Sequence, residues 1–180
     1  MLRFDERVWL LWAVWILLLP LKWLVAVVVS ACVHEVFHIS AVLLTGGTVR
    51  CVRVMPLCTV IEVERIGCCQ EIICALAGPA GSFLLLAVVH YFPLLGLCGL
   101  IQGVFNLLPV YPMDGGRALR CILECAFPHR AVYMFDWIER ITLFLIFLLS
   151  LLISVYYSLG SWPVLLCILA IMNALLRKRP

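Results

Sequence analysis

The feature that most constrains this chain is its succession of long apolar runs. Leu21 to Leu44 and Val132 to Tyr157 each exceed the roughly 20 residues a helix needs to cross a bilayer. In hydrocarbon every backbone N–H and C=O must be satisfied within the protein, so runs of this kind fold as helices. Proline and glycine set the limits of six segments. The first is Val8 to Leu19, closed by Pro20. The second is Leu21 to Leu44, ended by Gly46-Gly47. The third is Ile72 to Tyr91, stopped by Pro93. The fourth, Leu94 to Leu108, is broken by Pro109 and Pro112 and continues through Asp114-Gly115-Gly116 into a short helix ending near Phe127. The fifth is Val132 to Tyr157, and the sixth is Trp162 to Leu176, capped by Arg177-Lys178-Arg179. Between the second and third, Thr48 to Arg65 is β-branched and partly alternating around Pro56, which predicts two short strands. The expected fold is an all-α polytopic membrane protein of about six transmembrane helices, with a short membrane-associated β-hairpin after the second.

Composition excludes the main alternatives. Apolar residues make up 66% of the chain and charged residues 13%, with a mean hydropathy of +1.16. Soluble domains hold about 45–50% apolar residues, and a small globule cannot hide much more. A soluble enzyme, a disordered tail and a nucleic-acid-binding domain are all excluded. A net charge of +3, with the basic residues spread out, points to no polyanionic partner. The mixed-charge start, Met1 to Arg7, with no small-residue cleavage site after the first apolar core, is unlike a cleavable signal peptide.

The basic residues orient the segments. Eleven of the 13 lysines and arginines fall on the inner side if both termini are cytoplasmic; only Lys22 falls outside, and Arg140 lies near the inner end of the fifth segment. Of the 10 cysteines, most lie in apolar runs as small hydrophobes. Neither the adjacent Cys68-Cys69 nor Cys121 and Cys125, four apart, has zinc-ribbon spacing. Arg120 with Glu124 and Asp136 with Arg140 read as i,i+4 pairs. Glu139 and His129 sit near the inner interface with no assignable partner. His90 and the Trp9, Trp12, Trp15 and Trp23 set read as interfacial.

Chemistry concentrates in the second segment, at His34-Glu35-Val36-Phe37-His38. Positions i and i+4 share a helix face, so both imidazoles can bind one zinc ion, with Glu35 beside them as general base. Composition alone gives about 0.005 chance matches to this pattern. A charge at mid-bilayer costs roughly 2.5–3.5 kcal/mol, and such residues usually mark function. The competing reading is a hydrogen-bonded packing cluster.

A catalytic zinc site commonly has three protein ligands. Glu62 and Glu64 follow His38 by 24 and 26 residues, but they sit in the strand-like stretch among arginines. Asp114 lies where prolines break a helix and glycines free the backbone, and irregular backbone at membrane depth lines cavities or is buried in protein. Asp114 could instead cap the Gly115 to Ala126 helix, or do both with different oxygens. Glu35 lies roughly 14 Å from the inner end of its helix. The fourth segment also runs toward the cytoplasm, so both arms meet in the inner half of the membrane.

His34-Glu-Val-Phe-His38 on a membrane helix, followed by Phe105-Asn-Leu-Leu-Pro-Val-Tyr-Pro-Met-Asp-Gly-Gly116, resembles the site-2 protease family of intramembrane zinc metalloproteases. The six-segment plan resembles the branch typified by stage IV sporulation protein FB. The resemblance covers a core of about Leu21 to Phe127. It implies Zn2+ as cofactor, His34, His38 and Asp114 as ligands, and Glu35 as the catalytic residue. Asn106 and Pro112 match the second motif, where Asn106 would contact substrate. Ala77-Gly-Pro-Ala-Gly81 resembles the Gly-rich motif that permits close helix packing. Val36-Phe37 departs from the frequent Leu-Gly and is bulkier. The chain stops at Pro180, so the expectation is a single domain over residues 1–180 with neither a C-terminal regulatory domain nor a PDZ domain.

The implied activity is endopeptidase cleavage of a membrane-associated protein near the cytoplasmic face of a bacterial cytoplasmic-type membrane. The sporulation branch points to a pro-sigma factor. Other site-2 proteases cut anti-sigma factors or other single-span proteins. The partners expected are that substrate, the lipid bilayer and a membrane-protein inhibitor. A substrate helix must open into an extended strand before it can be cut. A strand edge within Thr48 to Arg65, marked by Val52 and Val54, is the candidate holder, acting by strand addition. The competing functions are a zinc-binding transporter built on discontinuous helices and an inactive protease that binds membrane proteins.

Overall fold

The computed structural model describes residues 2–4, 17, 20–54, 59–64, 67–157 and 168; within the strands, apart from Thr48, only the backbone is described. The first and sixth expected segments lie outside these residues except at Leu17 and Ile168, as do Trp9, Trp12 and Trp15.

The described chain is mostly helical. In order it forms β1 (Leu2–Phe4), α1 (Leu21–Leu44), β2 (Thr48–Val54), β3 (Thr59–Glu64) and α2 (Cys68–Leu84). A 3-10 turn (Leu85–Val88), α3 (Pro93–Asn106), α4 (Asp114–Ala126) and α5 (Ala131–Tyr156) complete it. Among the described residues, three stretches are long and apolar enough to cross a membrane: Leu21–Leu44, Cys68–Val88 and Ala131–Tyr156. At 1.5 Å per residue the 24-residue α1 is about 36 Å long, more than a hydrocarbon core of about 30 Å. The 14-residue α3 reaches only about 21 Å, so it ends at depth and hands over to an irregular segment.

α1 buries Ala26, Ser30, His34, His38, Ala41 and Val42. Successive steps of four, then three, trace one stripe along a helix. Both histidines of the motif are therefore packing residues of the same face, while Val25, Val29, Val36 and Leu43 point outward. α2 starts four residues earlier than its apolar run, because Gln70 closes the first turn onto the Gly67 N–H at 2.8 Å. Gln70 also donates to the Thr45 carbonyl at the end of α1 at 2.8 Å, tying the two helix ends together.

Helices in lipid pack through small residues rather than through exclusion of water. The expected Gly-rich stretch does this here. A Cβ on Gly81 would lie 2.4 Å from the Phe37 ring, so the bulk of Phe37 is accommodated by the absence of a side chain opposite it. Gly99 and Gly103 of α3 take the Ser82 carbonyl and the Phe83 ring at similar range. α5 is held mainly at its start, where Phe135 and Ala131 pack with Leu123 against Tyr111, Leu119, Met134 and Ile138. The rest of α5 presents apolar side chains outward, as a lipid-facing helix does.

The strands form one sheet in the order β1-β2-β3. β2 and β3 are antiparallel, from Thr48 opposite Glu64 to Val54 opposite Thr59, with an irregularity between Val49 and Cys51. β1 runs parallel to β2, with Leu2 opposite Val52 and Phe4 opposite Val54. This corrects the edge expected at Val52 and Val54. β2 is the central strand, and β1 already fills its second side at those residues. Among the described residues, the sheet's outer edges are β1 and β3.

Glu139 also needs correction. It is buried at 4% exposure and accepts a hydrogen bond from the Tyr111 N–H at 3.0 Å. The partner is a backbone amide 28 residues upstream, which no spacing rule anticipates. It ties α5 to the irregular segment before Asp114.

Candidate metal centre

The centre is built where α1, α2 and the start of α4 meet. His34 and His38 are buried at 3% and 6% exposure. Their Nε2 atoms lie 3.1 Å apart. Asp114, buried at 7% exposure, brings its Oδ2 to 3.1 Å from each of them. Among the described residues this is the cluster of His, Cys, Asp and Glu whose geometry could hold a metal ion.

The far side of each ring is fixed. His38 Nδ1–H donates to the Cys74 carbonyl at 2.7 Å. A carbonyl only accepts, so the proton sits on Nδ1 and neutral His38 presents its Nε2 lone pair to the centre. His34 Nδ1 pairs with Ser82 Oγ at 2.8 Å, and Ser82 is fully buried. Such outer partners set the tautomer and orientation of metal-binding histidines. Gly78 makes room for this arrangement. A Cβ there would stand 2.1 Å from His38 Nε2, in the space the donor atom itself uses. The sequence reading missed Ser82, the Cys74 carbonyl and the particular duty of Gly78. The four-residue steps from Cys74 through Gly78 to Ser82 hint at them, because they form one face of α2.

Asp114 reaches the centre through backbone geometry. After α3, the chain turns on short bonds from Val110 N–H to Leu108 O and from Met113 N–H to Val110 O, both 2.8 Å. The Tyr111–Pro112 peptide is cis. Cβ atoms on Gly115 and Gly116 would meet the Leu107 and Val110 carbonyl oxygens at 2.1 and 2.5 Å, so both glycines admit the preceding loop. Asp114 is the first residue of α4 rather than its cap. Met113 holds the N-cap position, and no side chain caps the helix. That removes the capping explanation for Asp114. Its second oxygen, Oδ1, lies 3.9 Å from Arg117 Nη1, and Arg117 Nη2 lies 3.6 Å from Glu71 on α2.

Glu35 follows His34 and is half-buried. Asn106 ends α3, and its Nδ2 donates to the Gln102 carbonyl at 3.1 Å. Ser30, one turn before His34, donates to Gln102 Oε1 at 2.6 Å. A part-buried polar line therefore connects the Asn106 turn with the histidine stripe. Glu62 and Glu64 lie on β3, and Val52 and Val54 lie on β2.

The donor set fits zinc. Zn–N bonds of about 2.0–2.1 Å put neighbouring tetrahedral ligand atoms roughly 3.3 Å apart, close to the 3.1 Å edges of this triangle. Two imidazoles and a carboxylate leave a fourth position, the pattern of catalytic rather than structural zinc. Without a cation, the His38 lone pair and a carboxylate oxygen would face each other in a buried pocket.

Fold and site together define a class: an integral membrane protein with a buried His-His-Asp centre between the spanning α1 and the start of α4. Comparison with known proteins narrows it. The model of peptidase family M50 matches residues 70–149. The zinc metalloprotease MJ0392 of Methanocaldococcus jannaschii is 34% identical over 110 residues, which is 53% of this chain and 32% of that protein. The match thus spans about a third of that relative's length. A site-2 protease from Methanocaldococcus jannaschii of known structure superposes with a TM-score of 0.64 at 23% identity, covering 99% of this chain and 91% of that one. The chain is thus similar to peptidase family M50 over residues 70–149 and shares the fold of that site-2 protease.

Proposed function

We propose that this protein is a zinc-dependent intramembrane endopeptidase. The observation that carries the proposal is the convergence of buried His34, His38 and Asp114 to 3.1 Å, both histidines lying on a helix long and apolar enough to span, with Glu35 beside them. His34 and His38, held by Ser82 and the Cys74 carbonyl, and Asp114 would hold the metal. A bound zinc ion supplies Lewis acidity for a carbonyl and a lowered pKa for water. Glu35 takes the proton of the attacking water and hands it to the leaving amine. Burial of the histidine stripe limits bulk water to the side on which α1 meets Asp114. Asn106 positions the extended substrate near the centre.

The substrate is a membrane-associated protein cut within or near its spanning segment, close to the cytoplasmic face. The single domain spans residues 1–180, with six spanning segments and both termini cytoplasmic. The favoured substrate class is a pro-sigma factor, after the resemblance to the sporulation branch. An anti-sigma factor or another single-span protein is the second. With β2 occupied on both sides, a substrate strand joins the sheet at an outer edge or in place of β1.

The test is co-expression of wild type and Glu35→Gln with tagged pro-sigma and anti-sigma candidates in one membrane background. Cleavage by wild type alone supports the proposal. Equal processing by both forms overturns it.

A further inference from the structure

Outside the metal centre, a second cluster joins α2 to α4. The two helices run antiparallel. Cys68 opens α2 beside Cys121 and Cys125 near the end of α4, Glu71 faces Arg117, and the Cys74 turn faces the centre that holds Asp114. Cys125 Sγ–H donates to Cys68 Sγ at 2.8 Å, and Cys68 Sγ–H donates to the Cys121 carbonyl at 3.1 Å. The two sulfurs come from different helices, 57 residues apart. Cys125 is exposed and Cys68 is half-buried, so a small reagent can reach the pair. Cys121 is buried, and the desolvation of its thiol beside the Glu71 carboxylate pushes it up to about 12, which keeps it protonated and out of competition. The hydrogen bond to Cys68 also holds the Cys125 thiol above its ordinary value.

We propose that Cys68 and Cys125 form a reversible redox pair whose disulfide clamps the far end of α4 onto α2. The oxidant is a low-molecular-weight disulfide such as glutathione disulfide. Cys125, the exposed sulfur, loses its proton and attacks one sulfur of that disulfide through its minor thiolate fraction, forming a mixed disulfide and releasing one small thiol that takes up the proton. The Cys68 thiolate then attacks the Cys125 sulfur and expels the second small thiol. Two protein S–H bonds are lost and one S–S bond forms. The protein gives up two electrons, the reagent's disulfide is reduced to two thiols, and the two protons go to those thiols. The sulfurs need to close only from 2.8 Å to a bond of about 2.05 Å. In a reducing compartment such a bond is transient and acts as a sensor.

The clamp has a consequence for the centre, which rests on the metal-centre reading above. Asp114 sits on the first turn of α4, so a shift of α4 along or away from α2 carries Asp114 off the histidines. With the far end tied down, metal release slows.

The test uses the full chain in phospholipid nanodiscs, treated with glutathione disulfide, alkylated, and mapped by non-reducing peptide mass spectrometry. The expected result is a peptide joining Cys68 to Cys125, two fewer alkylatable thiols, and reversal by dithiothreitol. Cys69→Ser and Cys121→Ser retain the crosslink, and Cys68→Ser and Cys125→Ser lose it. Failure to form it in wild type overturns the proposal, and this readout needs neither zinc nor cleavage. In zinc-loaded protein, loss of zinc to a chelator is expected to slow severalfold on oxidation and to recover on reduction. A crosslink that leaves that rate unchanged overturns the clamp.

Discussion

At the residue scale, the centre depends on single atoms. His34, His38 and Asp114 each contribute one donor atom to the described cluster. His34→Ala and Asp114→Ala are expected to purify with little or no zinc, measured by elemental analysis. Glu35→Gln is expected to keep its zinc and lose cleavage, because a neutral amide cannot take the proton. Ser82 acts one atom further out. Ser82→Ala removes the Nδ1 partner of His34 while leaving all donor atoms in place. Loss of such an outer partner weakens metal affinity by about 10- to 100-fold, and competition with a chromogenic chelator reads this directly. Unchanged affinity would show that helix packing alone orients the His34 ring.

At the scale of elements, the site needs α1 and α2 close together, and glycine sets that distance. Gly78→Ala puts a methyl group where His38 Nε2 lies. The change is small by volume, yet it is expected to abolish zinc retention, while Ala77→Gly on the same helix leaves it intact. Zinc content of the two variants compares them. Glu139 holds α5 to the segment that delivers Asp114. Glu139→Leu leaves the Tyr111 N–H without this acceptor, at a cost of about 1–3 kcal/mol for a buried donor. A lowered thermal midpoint in detergent is expected for Glu139→Leu, and Glu139→Gln, which keeps an acceptor oxygen, should recover most of it. Such a result would make Glu139 a structural acid of the fold.

At the scale of the whole molecule, the candidate centre draws on four parts of the chain. α1, α2, the loop after α3 and α4 all converge on one centre. Removing zinc by dialysis against a chelator is expected to lower the thermal midpoint, since a ligand bound only by the folded form stabilises it. Metal return should restore it in wild type but not in Asp114→Ala. The lipid-facing surface contributes differently. α5 exposes Ile141, Phe144, Leu145, Leu148 and Leu152, residues that are content in hydrocarbon and would aggregate in water.

The sequence by itself determined what local periodicity carries. Apolar runs marked α1 and α5 to within a residue, because membrane helices need continuous apolar length. A four-residue step put both histidines on one stripe, because helix geometry is local. Prolines and glycines around Asp114 marked an irregular approach at depth. Only the tertiary structure decided the rest. It alone shows that Ser82 and the Cys74 carbonyl orient the imidazoles, that Glu139 is buried against Tyr111, that β2 is central, and that Cys68 meets Cys125. These contacts join residues tens of positions apart, and they depend on how closely helices approach where a Cβ is missing. No period along the chain encodes such an approach, since it arises only when separate elements pack.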